Sequence, residues 1–418
     1  MMKYYGKYLP AVVLSGILLA FLLFGGVSET GAAYASGSQS VASQSGTIYY
    51  VAASGNDSWL GTESQPFKTF DHALKALKPG DTLYIRGGVY TEELVLPSSV
   101  SGSKGSYITI SSAPGETATI SGKGKKGPML VDFDGADYVR LQNMKFTDAE
   151  GMWSCGISVE PGSHHIVIRN NEICGIKVNE PKKADHCANC IELYGDSASH
   201  SIHDVWINGN KIHDCVTGWA ECISVTGNCR NIRVNRNFID NTGNIGIDFS
   251  GNYGYCSDPS LDFPRDCSAS ENQISRCVSP NADSYGIYVD GGQKIKIAGN
   301  LVEDSSGGIE IGAEKRPSKI EYSTSDIVVS GNTLKNNKVC AMSIGGYEKK
   351  LGWVLRVEIS GNSCLDNGLD SAIITLNKCS RVTIENNVLK NTKGSGSVFS
   401  YSFSDKYIRH VTIRNNQL

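Results

Sequence analysis

The chain contains the segment Ile166-Val167-Ile168-Arg169-Asn170-Asn171-Glu172-Ile173, in which alternating apolar residues are followed by Asn, a variable residue and an apolar residue. A close copy is Val205-Trp206-Ile207-Asn208-Gly209-Asn210-Lys211-Ile212. The second Asn of this motif recurs at positions 171, 210, 237, 272, 300, 332, 362, 387 and 416. Successive positions are 25 to 39 residues apart, with a mean of about 31, which is the spacing of a structural repeat.

A second short apolar strand accompanies each copy at a matching phase. Examples are Gly156-Ile157-Ser158-Val159, Cys190-Ile191-Glu192-Leu193, Cys222-Ile223-Ser224-Val225, Gly246-Ile247-Asp248-Phe249, Gly286-Ile287-Tyr288-Val289, Gly308-Ile309-Glu310-Ile311 and Ala341-Met342-Ser343-Ile344. Each repeat thus has two or three strands of about four residues, and no repeat can bury its apolar side alone. A β-sandwich has no reason to repeat Asn-x-apolar nine times. We therefore predict an all-β protein, a right-handed single-stranded parallel β-helix.

The repeated Asn fits a turn between two strands. Asn tolerates the left-handed backbone conformation, so we expect it to adopt that conformation here. In stacked coils its side chain can also hydrogen-bond to the equivalent Asn above and below.

Residues 47–121 differ from the repeats and predict an N-terminal cap region. A strand is expected at 48–51, and a short amphipathic helix follows with Phe70, Ala73, Leu74 and Leu77 on one face. Such a helix would cover the open end of the coil. The last repeat ends on Leu418 with no cap motif after it, so that end is expected to be frayed, covered by a partner or truncated.

Composition restricts the class of protein. The 418 residues include 39 basic and 42 acidic side chains, and this lack of basic excess argues against a nucleic-acid partner. The hydrophobic content of 40% excludes a disordered chain. Residues 1–35 have a basic start, an apolar stretch and an Ala33-Tyr34-Ala35 cleavage site, which predicts a signal peptide, and residues 36–46 predict a flexible linker. We therefore expect residues 47–418 to be a secreted monomeric β-helix without stable membrane insertion, or a cell-surface protein if the signal is retained.

The 13 cysteines suit an oxidising compartment, although an odd number leaves at least one unpaired within the chain. Cys190 and Cys222 share a phase on adjacent coils, so we predict that they form a disulfide. Cys256 and Cys267 flank the longest insertion and are predicted to staple it. A zinc site is the alternative for His186-Cys187-Ala188-Asn189-Cys190, but no second ligand pair follows. We therefore predict no metal site.

The entrance segment contains several short motifs at fixed order. They are Tyr50-Val51-Ala52-Ala53-Ser54-Gly55-Asn56-Asp57, Gly61-Thr62, Pro66-Phe67-Lys68-Thr69, Gly80-Asp81-Thr82 and Gly87-Gly88-Val89-Tyr90. This series resembles the N-terminus of the pectate-lyase-like β-helix superfamily of secreted carbohydrate-active enzymes, and the resemblance covers residues 47 to 418. It implies an enzyme acting on a polysaccharide and leaves lyase, glycosidase and epimerase open. A looser likeness is to β-helical retaining glycosidases of the β-xylosidase type, in which the matching positions are Asp290 and Glu310.

Within each Ile-x-Val strand the middle residue is expected to point outward, in register with its equivalents about 4.8 Å away. The predicted outward column is Ser158, Glu192, Ser224, Asp248, Tyr288, Glu310 and Ser343, and a parallel column two residues on includes Tyr194, Ser250 and Asp290. Asp248, Asp290 and Glu310 therefore lie on three successive coils of one face. Close carboxylates suit glycosidic cleavage, because crowding keeps one of them protonated. We predict Asp290 as nucleophile or base and Glu310 as acid, with Asp248 assisting.

The remaining predicted site residues would bind substrate. They are Glu192, Tyr253, Tyr255, Tyr288, Lys315, Arg316 and Tyr347. The alternative for all these residues is a solvated outer face that carries charges without a function. The sequence favours a glycoside hydrolase that acts on an extracellular polysaccharide without a cofactor. A uronate lyase, which would use Ca²⁺, and a carbohydrate-binding β-helix without catalysis are the alternatives.

Overall fold

The computed structural model describes residues 46–369, 371–393 and 397–418. The predicted signal peptide and all but the last residue of the predicted linker lie outside this range. The described chain winds through repeated coils, each made of three short strands that belong to three different sheets. All strand pairs within the three sheets are parallel and run between neighbouring coils. The predicted right-handed parallel β-helix is confirmed.

Within the described residues, sheet 1 has 13 strands and sheets 2 and 3 have 11 each. The strands of sheet 1 are Ile48–Val51, Thr82–Ile85, Ile108–Ser112, Asp137–Gln142, His164–Arg169, Ile202–Asn208, Cys229–Asn235, Ser268–Ser270, Gln293–Ala298, Thr324–Ser330, Val354–Ser360, Cys379–Glu385 and Ile408–Arg414. The strands of sheet 2 are Gly88–Tyr90, Ala118–Ser121, Lys145–Thr147, Glu172–Cys174, Lys211–His213, Phe238–Thr242, Gln273–Cys277, Leu301–Glu303, Thr333–Lys335, Ser363–Leu365 and Val388–Lys390. The strands of sheet 3 are Leu94–Pro97, Met129–Asp134, Ser154–Val159, Ala188–Gly195, Ile223–Gly227, Ile247–Ser250, Tyr285–Asp290, Gly307–Gly312, Met342–Ile344, Ile374–Leu376 and Phe399–Tyr401.

One continuous apolar core fills the interior of the coil. Each strand contributes its inward residues, and in sheet 3 the inward column Ile157, Ile191, Ile223, Ile247, Ile287 and Ile309 is fully buried. Because the side-chain period of a strand is two, the residue between two inward positions must face outward. The stacked β-branched side chains therefore fix the register that decides which polar residues meet on the outer face.

The helix predicted near the N-terminus spans Phe70–Ala76, and a single 3₁₀ turn spans Ile320–Tyr322. Thr69 caps the helix by accepting a 3.3 Å hydrogen bond from the backbone amide of His72. Phe70, Ala73 and Leu74 are buried against the first coil, while Leu77 lies just after the helix and is half-buried. The helix covers the first coil as the sequence predicts.

The predicted hydrogen bonds between stacked Asn side chains are present from Asn171 to Asn416. Each side-chain amide donates to the Oδ1 of the next Asn over 2.8 to 3.1 Å, as Asn171 does to Asn210 and Asn300 does to Asn332. The expected left-handed backbone at these positions is wrong, because it lies one residue earlier, as at Asn170 and Arg236. That preceding residue makes the turn, which aims the Asn side chain inward along the stack.

The predicted disulfides are also wrong: all 13 cysteines are free thiols, and all but Cys174 are buried. Cys190 and Cys222 directly precede the paired residues Ile191 and Ile223. The Cα spacing of in-register parallel strands, about 4.8 Å, lies within the range that a disulfide allows, but these two thiols do not form one. Cys267 lies within the coil core, whereas Cys256 belongs to the outer loop and not to that core. These thiols act as small apolar side chains, so the odd number of cysteines requires no disulfide partner outside the chain.

Candidate active site on sheet 3

The outward column of sheet 3 has the register that the sequence predicts. Ser158 pairs with Glu192, Ser224 with Asp248, Asp248 with Tyr288, and Tyr288 with Glu310. Asp290 pairs with Gly312 and so lies in the parallel column, two residues further along its strand. A Cβ at Gly312 would come within 2.5 Å of the Tyr288 hydroxyl, so only Gly leaves room for that side chain. The three predicted catalytic carboxylates therefore share one face of the coil.

Asp290 is the most firmly held carboxylate of the group. It is 2% exposed, and its Oδ1 accepts a 2.7 Å hydrogen bond from the backbone amide of Glu314. Its Oδ2 accepts a hydrogen bond from the hydroxyl of Tyr253. Burial, followed by the nearby charge of Glu314, raises the pKa of Asp290 to about 7, and the hydrogen bonds act in the opposite direction.

Glu314 is a site residue that sequence reasoning missed. It follows the strand Gly307–Gly312 rather than lying within it, so it has no place in the outward column. Its Oε1 accepts a 3.3 Å hydrogen bond from Tyr288, and its Oε2 lies 3.5 Å from the hydroxyl of Tyr253. Because the same hydroxyl contacts Oδ2 of Asp290, this oxygen and Oε2 of Glu314 are at most about 6 Å apart. Burial raises the pKa of Glu314.

Asp248 has the opposite environment to Asp290. It is 4% exposed, and its Oδ1 is buried without a hydrogen-bond partner among the described residues. Burial raises the pKa of Asp248 well above its usual range, and Glu221, Asp290 and Glu314 add to the effect in that order. An acid in this position keeps its proton near neutral pH. Glu221, also missed from the sequence because it precedes its strand, has its pKa raised by burial to about 7.

Glu310 is next to this cluster on the far side of Tyr288. Its Oε1 accepts a 3.2 Å hydrogen bond from Ser343, one coil further on. Burial, and then the charge of Glu314, raises the pKa of Glu310 well above its usual range. Glu310 is therefore a second protonated acid close to Asp290.

The acids continue along sheet 3 toward the N-terminal end. Burial raises the pKa of Glu192 to about 8 and that of Asp132 to about 7, and Oδ1 of Asp132 has no partner among the described residues. Glu160 lies between them, and its pKa is raised by burial. Asp132 and Glu310 are six strand steps apart in one column, about 29 Å at 4.8 Å per step. The outer face of sheet 3 therefore carries a row of acids, interrupted by Ser158, Ser224 and Tyr288, which we call the acidic groove.

Aromatic rings border the acidic groove. Tyr253 and Tyr255 stack with their centroids 5.5 Å apart, and Tyr194 meets Tyr255 edge-on at 5.8 Å. Nζ of Lys315 lies 4.7 Å from the centroid of Tyr253. Burial, followed by the charge of Glu314, raises the pKa of the half-buried Tyr347. Of the predicted substrate-binding residues, Tyr253, Tyr255, Lys315 and Tyr347 come together at the site.

Asp262 holds the insertion that carries these tyrosines. Its carboxylate accepts hydrogen bonds from the backbone amides of Gly254 at 2.7 Å and Cys256 at 2.8 Å. The Asp262 carboxylate thus holds the insertion together, a role that we predicted for a disulfide between Cys256 and Cys267. Arg316 is the predicted residue that the structure does not bring to the groove: it is exposed, and its charge lowers the pKa of Lys378, secondary to burial.

Comparison with known proteins gives the family. A family model described as "Pel9A-like, right handed beta helix region" matches residues 49–213. YwoF of Bacillus subtilis (strain 168), described as an uncharacterized protein, is 31% identical over 375 residues, which are 85% of this chain and 76% of YwoF. The chain belongs to the YwoF family. Its fold is the pectate-lyase-like right-handed parallel β-helix that the entrance motifs predict.

Two solved structures resemble this member of the YwoF family in fold. GH136 lacto-N-biosidase from Eubacterium ramulus is 14% identical with a TM-score of 0.60, covering 89% of this chain and 67% of that chain. The Streptococcus pneumoniae surface protein and adhesin PfbA is 11% identical with a TM-score of 0.51, covering 82% of this chain and 94% of that chain. One is an enzyme and the other an adhesin, so the shared fold alone does not give an activity.

Two groups of three side chains in this YwoF-family chain bring possible metal ligands together within the described ranges. They are His165, His203 and Asp204 on sheet 1, and Glu172, Cys174 and His213 on sheet 2. Neither group includes a residue of the acidic groove. Calcium binding, which the sequence suggested for a lyase, stays a prediction. The described residues also contain no helix of the length and apolarity needed to cross a membrane.

Proposed function

We propose that this protein is a secreted, monomeric enzyme that hydrolyses glycosidic bonds in an extracellular polysaccharide. The observation that carries the proposal is that two buried carboxylates on one face of the coil, Asp290 and Asp248, have opposite hydrogen-bonding environments. Two groups donate hydrogen bonds to Asp290, whereas Asp248 has a buried oxygen without a partner. Glycosidic hydrolysis needs one ionised carboxylate and one protonated acid that flank the scissile bond.

Asp290 has the role of nucleophile or base. The backbone amide of Glu314 and the hydroxyl of Tyr253 both favour its ionised form, and the charge of Lys315 lowers its pKa further. These donors also fix its orientation, which a nucleophile or a base that activates water requires. The fixed carboxylate is thus ready to act on a sugar bound along the groove.

Asp248 has the role of general acid. Its raised pKa keeps a proton on the carboxyl group, and among the described residues no group hydrogen-bonds to Oδ1. The sequence favoured Glu310 for this role, but Oε1 of Glu310 already accepts the hydroxyl hydrogen of Ser343. The Cα atoms of Asp248 and Asp290 are about 8 Å apart, from one coil step and two residues along the strand.

The length and chemistry of the acidic groove support a polymer substrate. The row of acids is about 29 Å long, which matches the length of several sugar units. The stacked rings of Tyr253 and Tyr255 offer a flat apolar surface beside the acids. The negative charge of ionised Asp290 disfavours an anionic uronate chain, so we propose a neutral or amino-sugar polysaccharide as the substrate.

A uronate lyase is the second candidate, because the phenol of Tyr253 lies between two carboxylates and beside Lys315. Such an enzyme would need a cation, such as Ca²⁺, to neutralise the uronate in these surroundings. The test is a panel of neutral, amino-sugar and uronate polysaccharides, read by reducing-end release and by the ultraviolet absorbance of unsaturated products. Reducing ends without that absorbance support hydrolysis, both signals together support the lyase, and neither signal with retention of a polysaccharide supports a binding protein.

A further inference from the structure

A cluster of imidazoles and carboxylates lies on sheet 1, away from the acidic groove. Asp137, His164, His203 and Arg230 stack in register on four successive coils. The residues that follow them form a second stack, which is Tyr138, His165, Asp204 and Asn231. Three imidazoles and two carboxylates therefore meet within three coils.

The backbone brings both stacks to the same side of the sheet. Tyr138, His165, Asp204 and Asn231 all have φ between 53° and 54°, in the left-handed region. This conformation interrupts the strand alternation, and both residues of each pair are half-buried instead of one facing the core. Other coils of sheet 1 repeat the conformation, as at Lys294 and Asp326, so it belongs to the fold. What is particular to this place is the set of side chains.

The side chains of the cluster already contact and orient each other. His203 Nδ1 lies 2.6 Å from Asp204 Oδ2, and Asn231 donates to Asp204 Oδ1. His164 Nδ1 and His165 Nδ1 are 2.9 Å apart, while Nε2 of His164 is 3.1 Å from Asp137 Oδ2. One ligand atom from each of His165, His203 and Asp204 lies within 4.8 Å of the other two. Three ligands drawn from two adjacent coils are thus close to the separation that one ion requires.

We propose that His165, His203 and Asp204 bind a divalent transition-metal ion of the Zn²⁺ type. Two imidazole nitrogens and one carboxylate oxygen are ligands that Zn²⁺, Co²⁺ and Ni²⁺ accept. Asn231 orients the carboxylate of Asp204, and Asp137 orients His164 next to the ligand His165, as groups around metal ligands do. Because the ligands come from adjacent coils, the ion would tie these coils together.

The other group of potential ligands, on sheet 2, is less suited to an ion. Both ring nitrogens of His213 are already engaged, Nε2 by Glu172 at 3.1 Å and Nδ1 by Asp214 at 2.7 Å. Lys145 also pairs with Glu172 at 2.9 Å, so a cation there would compete with an ammonium group. Among the described residues, the hydrogen bonding of His203 uses Nδ1, which leaves Nε2 for a metal ion. The sheet 1 cluster is the better site.

The experiment is a calorimetric titration of tag-free, chelator-treated full-length protein with Zn²⁺, carried out in a His213→Ala background to remove the sheet 2 group. We expect one Zn²⁺ to bind and to raise the melting temperature, because the ion binds only the folded state. Adding His203→Ala or Asp204→Asn should lower the affinity at least about tenfold. His410→Ala, at the same backbone position of a distant coil, should leave the affinity unchanged.

Circular dichroism verifies that each variant is folded, and the absorption spectrum of bound Co²⁺ reports the ligands directly. The proposal is overturned if the His213→Ala protein binds no Zn²⁺, or if folded His203→Ala and Asp204→Asn variants bind it as tightly as their parent. Because the cluster lies on sheet 1, loss of metal binding leaves the proposed cleavage at the acidic groove unaffected. The two proposals can therefore fail separately.

Discussion

The backbone amide of Glu314 donates a 2.7 Å hydrogen bond to Oδ1 of Asp290, and the carboxylate of Glu314 shares the Tyr253 hydroxyl with the same aspartate. Glu314, in the loop after the strand Gly307–Gly312, thus holds Asp290, the last residue of the neighbouring strand Tyr285–Asp290. This contact favours the charged form of Asp290 within a buried, acidic surrounding. It is the structural basis for treating Asp290 as the ionised member of the site.

Tyr253→Phe should shift the pH dependence of cleavage. The Tyr253 hydroxyl stabilises ionised Asp290, so its removal raises the pKa of that carboxyl group. The acidic limb of the kcat/KM profile should therefore move to higher pH, with the fold unchanged. Tyr401→Phe, on the same sheet in a distant coil, is the matched control and should leave the profile where it is. An unshifted limb in Tyr253→Phe would show that this hydroxyl does not tune the essential base.

Asp248→Asn and Glu310→Gln should separate the two candidates for the general acid. We expect Asp248→Asn to lower cleavage of the polysaccharide by about 10²- to 10⁴-fold, because protonation of the leaving oxygen is lost. The same variant should cleave an aryl glycoside with a good leaving group at a rate much closer to that of the unmodified protein. Glu310→Gln should have a small effect on both substrates. The reverse pattern would assign the acid to Glu310, as the sequence first suggested.

The buried acids should make the protein less stable as pH rises. Burial raises the folded-state pKa of Glu192 to about 8, whereas an unfolded Glu titrates near 4.3. The folded protein thus binds more protons between these values, so the free energy of unfolding falls as pH increases through that window. Urea denaturation at several pH values from about 5 to 8 measures the slope. Glu192→Gln should make the slope shallower, and an identical slope would contradict the burial effect.

The Asn stack should be most sensitive in its middle. Asn300 accepts from Asn272 and donates to Asn332 and to the backbone oxygen of Ala269, all while buried. Asn300→Ala leaves several of these groups without partners, and we expect a loss of about 3 kcal/mol or more in the free energy of unfolding. Asn416→Ala is the control, since Asn416 is half-buried and has an Asn partner on one side. Equal losses at both positions would mean that the stack does not act as a buried network.

The periodic part of the molecule could be predicted from sequence in detail. Alternation in strands such as Ile287-Tyr288-Val289 fixes which residues face the core, so the outward column of Asp248, Tyr288 and Glu310 followed directly. The same logic predicted the hydrogen bonds between stacked Asn side chains. It failed for the backbone of those Asn residues, because the left-handed turn lies one residue earlier.

The aperiodic part of the site could not be predicted in the same way. Glu221 and Glu314 lie just outside their strands, where no alternation rule gives the direction of a side chain. Cys190 and Cys222 share a phase, but a shared phase fixes only the Cα spacing and not the directions of the side chains, and the two thiols are free. His164 and His165 meet His203 because of a left-handed residue that breaks the strand pattern. Each case depends on local backbone geometry that residue types alone do not specify.

The central claim is tested most directly by measuring the release of reducing ends from a polysaccharide that the unmodified protein cleaves. The Asp290→Asn variant is compared with the unmodified protein on this substrate. The matched control is Asp326→Asn, which removes an exposed ion pair with Arg356 on sheet 1. We expect Asp290→Asn to remain folded and to lose at least about 10²-fold in cleavage, while Asp326→Asn keeps full activity. Full cleavage by a folded Asp290→Asn variant would contradict the assignment of the acidic groove as the active site.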